Sequence, residues 1–363
     1  DRRSAVEASD PIVDLPLQVL HALDGIDHIV HALHRAARGR AFWVLDDLSP
    51  LRQLADSVTR RAAHLFQPTR AILWEGARGG NGTGENPPSG ALIDFWLREV
   101  PTGPVTLEIF DAQGERLRRF TAADSAEVDD ALAYAPADSI VPTRRGSNRF
   151  VWNLRLPGIR KLPNTVIDYG TTRGPVVPPG TYTVRLTVGR DTLARTVQVV
   201  ADPRVTSSTA DLVAQYQAAR RAVDRVNDVV DAVKRVEDLQ RQIDDRIGRL
   251  DGGPAIDSAK AVRARLESVR EELYEVGCHV DQCTLDMPTK LYNKLITLNM
   301  QVQSGAYAPT RQHGEIYDTL NGQFERQLER LRQVEGEGLE RLNGQLRERG
   351  LPAVYVPAPK PIA

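Results

Sequence analysis

The spacing of apolar residues changes once along this 363-residue chain, near residue 206, and that change limits the fold more than any single motif. Before it, apolar and polar residues alternate in short runs, the period of a half-buried strand; after it they recur every three or four residues, the period of one helix face. Neither pattern can bury its apolar face in the other's conformation, so the chain is predicted to hold two kinds of structure. Composition agrees. All four Trp and six of the seven Phe precede residue 153, whereas residues 206–350 contain one Phe and three of the 23 Pro. The expected class is α+β and multidomain: a β-sandwich of immunoglobulin or fibronectin type over 70–205, then an antiparallel helical bundle over 206–350 and a Pro-rich tail from 351.

The strand signals are compact. Ala71–Trp74 and Ala91–Glu99 read as strands on either side of a Gly/Asn/Pro loop. Val105, Leu107 and Ile109 alternate with polar residues and lead through Asp111-Ala112-Gln113-Gly114 into Arg116–Phe120, a hairpin. Arg149–Leu156 is expected to place Phe150, Trp152 and Leu154 on one face. Tyr182, Val184, Leu186 and Val188 oppose Thr181, Thr183, Arg185 and Thr187, and Gly189-Arg190-Asp191 turns the chain into Thr192–Val200. Residues 121–146 are polar and acidic and read as a loop. Upstream, Gly39–Leu48 reads as a strand closed by Ser49-Pro50, Ser49–Thr59 as a short helix or turn, and Leu17–Leu33 as a short amphipathic helix broken at Asp24-Gly25.

Ser208-x-x-Asp211 has the form of a capping box, and Leu212, Tyr216, Ala219, Val223, Val226, Val230 and Val233 follow it at 4-3-4-3-4-3. Asp251-Gly252-Gly253-Pro254 ends this helix. Val262, Leu266, Val269, Leu273 and Val276 then mark an antiparallel return, and Leu291, Leu295, Leu298 and Val302 a third helix. A fourth follows Pro309-Thr310, with Ile316, Leu320, Phe324, Leu328 and Leu331, then Leu339, Leu342 and Leu346.

Charge narrows the partners. Lys+Arg (47) balance Asp+Glu (48), so no basic excess recruits nucleic acid, and no run of ~18 apolar residues provides a membrane span. No cofactor motif occurs. The chain opens on Asp, as a fragment or processed form would, and shows no secretion-signal pattern.

At this point the motifs resemble a known family. Arg40-Ala41-Phe42-Trp43-Val44-Leu45-Asp46-Asp47-Leu48-Ser49-Pro50-Leu51-Arg52-Gln53-Leu54 is similar to the end of the β-propeller in large bacterial BNR-repeat, sortilin-like proteins, often labelled glycosyl hydrolases. Glu85-Asn86-Pro87-Pro88-Ser89-Gly90-Ala91, Asn148-Arg149-Phe150-Val151-Trp152-Asn153-Leu154-Arg155, and Pro178-Pro179-Gly180-Thr181-Tyr182-Thr183-Val184 follow in the family's order, and Lys294-Leu295 with Ala308-Pro309-Thr310 match its helical end. The resemblance spans roughly 38–352. It implies that 1–69 is a degraded propeller end and linker, that the propeller repeats are absent as in a truncated remnant, and that the location is periplasmic or extracellular. It also implies a non-catalytic C-terminal region that packs on a propeller or binds a protein partner. The rival expectation is a carbohydrate-binding accessory part of a hydrolase. The family's Thr-His-Gly-Arg entry is Ala37-Arg38-Gly39-Arg40 here, so its His is an Arg.

Candidate chemistry is sparse. Asp46 and Asp47 are adjacent on an expected strand and point to opposite faces, unlike two carboxylates flanking a sugar, so capping or pairing with Arg40 or Arg52 is the plainer reading. His28, His31 and His34, with His21 nearby, do not converge as metal ligands on one helix face. Cys278 and Cys283 leave a local disulfide or two free thiols open, with His279 between them too few ligands for zinc. Gly76-Ala77-Arg78-Gly79-Gly80-Asn81-Gly82-Thr83-Gly84 lacks the Lys-Ser/Thr of a phosphate loop. Trp74, Trp96 and Trp152 are candidates for a sugar-binding shelf, against the usual burial of Trp in a sandwich core.

Overall fold

The computed structural model describes residues 47–74, 89–122, 140–163, 165–167, 169–277, 282 and 285–356. These fall into two compact units. Described residues within 47–122, 140–154 and 179–202 form the first; those within 155–178 and 203–356 form the second. The molecule is α+β, with two sheets and several helices.

In the first unit two short helices, α1 (Ser49–Gln53) and α2 (Asp56–Thr59), precede the strands. Strands β1 (Ala63–Leu65), β3 (Ala91–Leu97) and β6 (Gly146–Trp152) make an antiparallel sheet in the order β1-β3-β6. Strands β2 (Ala71–Leu73), β4 (Val105–Phe110), β5 (Arg116–Thr121), β7 (Gly180–Val188) and β8 (Asp191–Ala201) make a second, ordered β2-β8-β7-β4-β5. Only the β2–β8 pairing is parallel among these ladders. β1 carries the sheet unit to residue 63, inside the span that the resemblance assigns to a propeller end.

Alternation selects the buried faces. Ile93, Phe95, Leu97 and Phe150 of the smaller sheet, and Leu107, Ile109, Val184 and Leu186 of the larger, are all at most 2% exposed. Two aromatic contacts join the sheets: Trp152 meets Tyr182 edge-on with centroids 5.5 Å apart, and Phe120 meets Phe150 at 4.7 Å. Each such side chain stabilises the folded state by roughly 1.5–3 kcal/mol through burial alone. The expected β4–β5 hairpin is present, its turn held by Asp111 Oδ1 accepting from the backbone N–H groups of Gln113 (2.9 Å) and Glu115 (2.8 Å). Arg118 pairs with Ile109 and shares the inward face of Phe120 by alternation. Its guanidinium lies 4.6 Å from the Phe120 ring and burial lowers its pKa to about 10, while the register shift at Ile109/Phe110 leaves Leu117 as the extra residue. Leu154 departs from the strand expected at 149–156. Its φ of 57° is left-handed, and β6 stops at Trp152.

The second unit is built on α3 (Thr209–Ile247), 39 residues and about 58 Å long. The expected capping box is formed: Asp211 N–H donates to Ser208 Oγ (3.2 Å) and Ser208 N–H to Asp211 Oδ2 (2.9 Å). α4 (Pro254–Leu273) and α5 (Leu291–Val302) follow, then α6 (Arg311–Gln333), a π-helical turn (Val334–Gly338) and α7 (Leu339–Glu348). Paired residues give the directions. Arg263 binds Asp244 and Gln240 binds Glu267, so α4 runs against α3; Gln215 donates to the Val302 carbonyl, which places the end of α5 beside the start of α3. Arg225–Glu325 and Arg235–Glu335 rise together, so α6 runs along α3. Leu331 and Leu339 are eight residues apart, one more than a heptad, and the π turn accommodates the additional residue. Ile316 lies outside the seam, 48% exposed, because burial on α6 begins at Leu320.

Residues 155–178 belong to this helical unit although they sit between strands β6 and β7. Their backbone folds back on itself through Leu156 N–H to Pro175 O (3.0 Å) and Ile159 N–H to Thr172 O (2.9 Å). A Cβ on Gly174 would lie 2.0 Å from the Leu156 carbonyl oxygen, so only glycine fits this approach. Arg160 grips Asp231 with both terminal nitrogens at 2.7 Å, and its backbone N–H donates to Asn227 Oδ1 (2.8 Å). Asn299, fully buried, donates to the carbonyls of Thr171 (3.0 Å) and Arg173 (3.2 Å).

Tyr292 is completely buried, 5.9 Å centroid to centroid from Tyr274, and burial pushes its hydroxyl up to about 12. The neutral form is favoured in the folded state. The associated stability is therefore full below pH 10, the ordinary tyrosine value, and is lost as pH rises from 10 through 12. Thermal melts between pH 9 and 12 are expected to show less of this alkaline loss in Tyr292→Phe than in the wild type. Coinciding pH profiles would remove Tyr292 as a source of alkaline instability.

Candidate functional site

The motif residues are best followed one by one. Asp47 is 9% exposed; its Oδ1 accepts from the Ser49 backbone N–H (2.8 Å) and its Oδ2 from the Thr69 hydroxyl (3.3 Å). It thus fixes the turn that enters α1 by an Asx-type contact; the N-cap position itself is Leu48, which has no side-chain cap bond. Gly90 has φ +144°, and a Cβ there would fall 2.3 Å from the Trp152 carbonyl oxygen. This explains the glycine before Ala91, since any side chain would part β3 from β6.

Asn148, 1% exposed, closes the turn into β6. Its Nδ2 donates to the carbonyls of Arg144 (2.7 Å) and Gly146 (3.1 Å), and its Oδ1 accepts from the Arg144 N–H (2.9 Å). The neighbouring Arg149 pairs across the sheet with Asp94, Nε to Oδ1 at 2.8 Å and Nη2 to Oδ2 at 3.0 Å, a planar two-point contact. Arg155 donates through Nη1 to Gly174 O (2.7 Å) and Gln303 Oε1 (2.8 Å). Among the described motif residues, Asp47, Asn148, Arg149 and Arg155 direct their polar atoms to the chain's own backbone and side chains.

The three tryptophans are dispersed. Trp152 is fully buried against Tyr182 and presents no ring face to a sugar, which removes it from the expected shelf. Trp96, on β3, points away from the face of Phe95 and Leu97, beside His64 and Ser147 of the flanking strands, and its indole Nε1 is buried without a hydrogen-bond partner. Trp74 follows β2 in the other sheet and is 52% exposed. No three-tryptophan surface is assembled. The physical reason lies in register, because alternation turns Trp152 inward and Trp96 outward on paired strands.

Beside Trp96, His64 has its pKa lowered, first by burial and then by the positive charges of Arg61 and Arg195. Asp46, the His21, His28, His31 and His34 set, the glycine-rich segment 76–84, and Cys278 and Cys283 all lie outside the described residues. Among the described residues no three His, Cys, Asp or Glu side chains are grouped to hold a metal, and no helix is long and apolar enough to cross a membrane.

What sequence reasoning missed is an exposed apolar pair at a sheet edge. Ile72 (38% exposed) and Trp74 lie on and just beyond β2, the terminal strand of the larger sheet. The signal was the shortness of the run Ala71–Leu73, which leaves an edge strand with few neighbours. Comparison with protein-family models and with curated proteins gives no match.

Proposed function

We propose that this chain is a non-catalytic interaction region, the C-terminal part of a BNR-repeat, sortilin-like protein, which packs against a propeller or binds a protein partner outside the cytoplasm. The two sheets are read as an immunoglobulin- or fibronectin-like sandwich, and the helices as an antiparallel bundle. Inward aromatic contacts between the sheets and the opposed course of α3 and α4 support these readings. One observation carries the functional reading: the polar motif residues Asp47, Asn148, Arg149 and Arg155 serve internal contacts instead of converging on a cleft. Such residues maintain a scaffold.

The partner surface is assigned to the β2 edge, where Ile72 and Trp74 expose apolar area that a partner would remove from water. The test mixes the purified chain with an isolated propeller from a BNR-repeat, sortilin-like protein and follows complex formation by sedimentation velocity. A complex weakened about 10-fold or more by Trp74→Ala is expected, the effect of truncating a buried aromatic anchor. Failure to associate at roughly 100 μM, a concentration that detects even weak complexes, would count against the assignment.

A further inference from the structure

We propose that the outer face of the five-stranded sheet binds an extended anionic polysaccharide. This face is distinct from the β2 edge and its assignment does not depend on the interaction role. Its side chains form registered rows across β5, β4, β7 and β8. Thr121 pairs with Thr106, Thr106 with Thr187, and Thr187 with Thr192, so four threonines cross four strands at one level. Strand spacing sets them about 4.7–4.9 Å apart, close to the advance of one pyranose along an extended chain. A hydroxyl both donates and accepts, as does the sugar hydroxyl that it would meet.

The next row supplies charge. Glu108 pairs in register with Arg119 on one side and Arg185 on the other, and Arg116 reaches the same carboxylate at 3.1 Å. Arg116 and, at 4.0 Å, Arg185 reach the one carboxylate while Arg119 stands opposite it in register, so three arginines share a patch with one glutamate, a local excess of two positive charges on an otherwise balanced protein. Arg119 and Arg185 are exposed, and Arg185 lies 4.2 Å from the centroid of the Phe110 ring, which fixes the plane of its guanidinium. A planar fork of N–H donors suits a carboxylate or sulfate group. Threonine is common in strands for reasons of propensity. Propensity alone does not place it at one level in four neighbouring strands next to an Arg-Glu-Arg row. Arg185 occupies the Phe110 face, which therefore offers no platform for stacking bases, so the arrangement favours a sugar polymer over a single-stranded nucleic acid.

Affinity electrophoresis of the full chain tests this in gels containing polygalacturonate, a sulfated dextran, or neutral dextran at fixed salt. The wild type is expected to be retarded by one or both anionic polymers and not by neutral dextran; the two anionic gels tell a carboxylate from a sulfate ligand. Arg119→Gln with Arg185→Gln should weaken retardation at least 10-fold. Thr106→Val with Thr187→Val, which keeps the charge and suits a strand, should weaken it several-fold, with melting temperatures confirming that both variants fold. Absence of retardation by either anionic polymer overturns the proposal. So does an unaltered affinity in the threonine variant, which would reduce the effect to unspecific charge attraction, or equal binding of a single-stranded oligonucleotide.

Discussion

Trp152→Ala is expected to destabilise the sheet unit by about 3–5 kcal/mol, the range for truncating a fully buried large aromatic side chain. The ring is 0% exposed and spans the space between the sheets, edge-on to Tyr182. Its removal leaves a cavity on both sides, and β3 cannot close it, because Gly90 already lies against the Trp152 carbonyl. A cost of this size is a large share of the ~5–15 kcal/mol that stabilises a typical domain. Urea unfolding followed by the fluorescence of the remaining tryptophans gives the measurement. A midpoint unchanged from the wild type would mean that Trp152 does not hold the sheets together.

The second large effect concerns the Asp94–Arg149 pair. Asp94 has a side chain 5% exposed and Arg149 one 20% exposed, so both charges are largely withdrawn from water. Asp94→Ala leaves a largely desolvated guanidinium without its two-point acceptor, a change that costs about 3–5 kcal/mol for fully buried pairs and falls toward the lower figure here, because Arg149 keeps some contact with water. Replacing both partners together behaves differently. Asp94→Leu with Arg149→Met removes two desolvation penalties and is expected to lie near wild-type stability. The double-mutant cycle from denaturant melts should therefore show strong coupling. A double variant as unstable as the sum of its singles would show that the pair is not the source of the effect.

Much of the fold could be read from period alone. The capping box at Ser208, the seam along α3, the four residues of α5 and the β7–β8 hairpin are local features, each set by residues close in sequence. Even the π turn left a trace in the eight-residue gap between Leu331 and Leu339. The membership of 155–178 could not be read in this way. Its ties to Asn227, Asp231 and Asn299 span 67–128 residues, and its Pro- and Gly-rich sequence carries neither period. Trp152 and Trp96 were grouped because both are tryptophans; only the pairing of β3 with β6 shows that they face opposite ways. Arg118 shares the inward face of Phe120 by simple alternation, a place that its charge argues against and that only the pairing with Ile109 reveals.

The placement of 155–178 has a consequence for how such a protein is inherited and dissected. Among the described residues the polypeptide passes from one unit to the other at 154/155, 178/179 and 202/203. A cut at the last crossing alone would yield a sheet piece carrying a stray segment, and a helical piece missing the partner of Asn299 and Asp231. Neither unit is a module that recombination could move by a single exchange. Shuffling of such a gene therefore has to carry the two sequences as one.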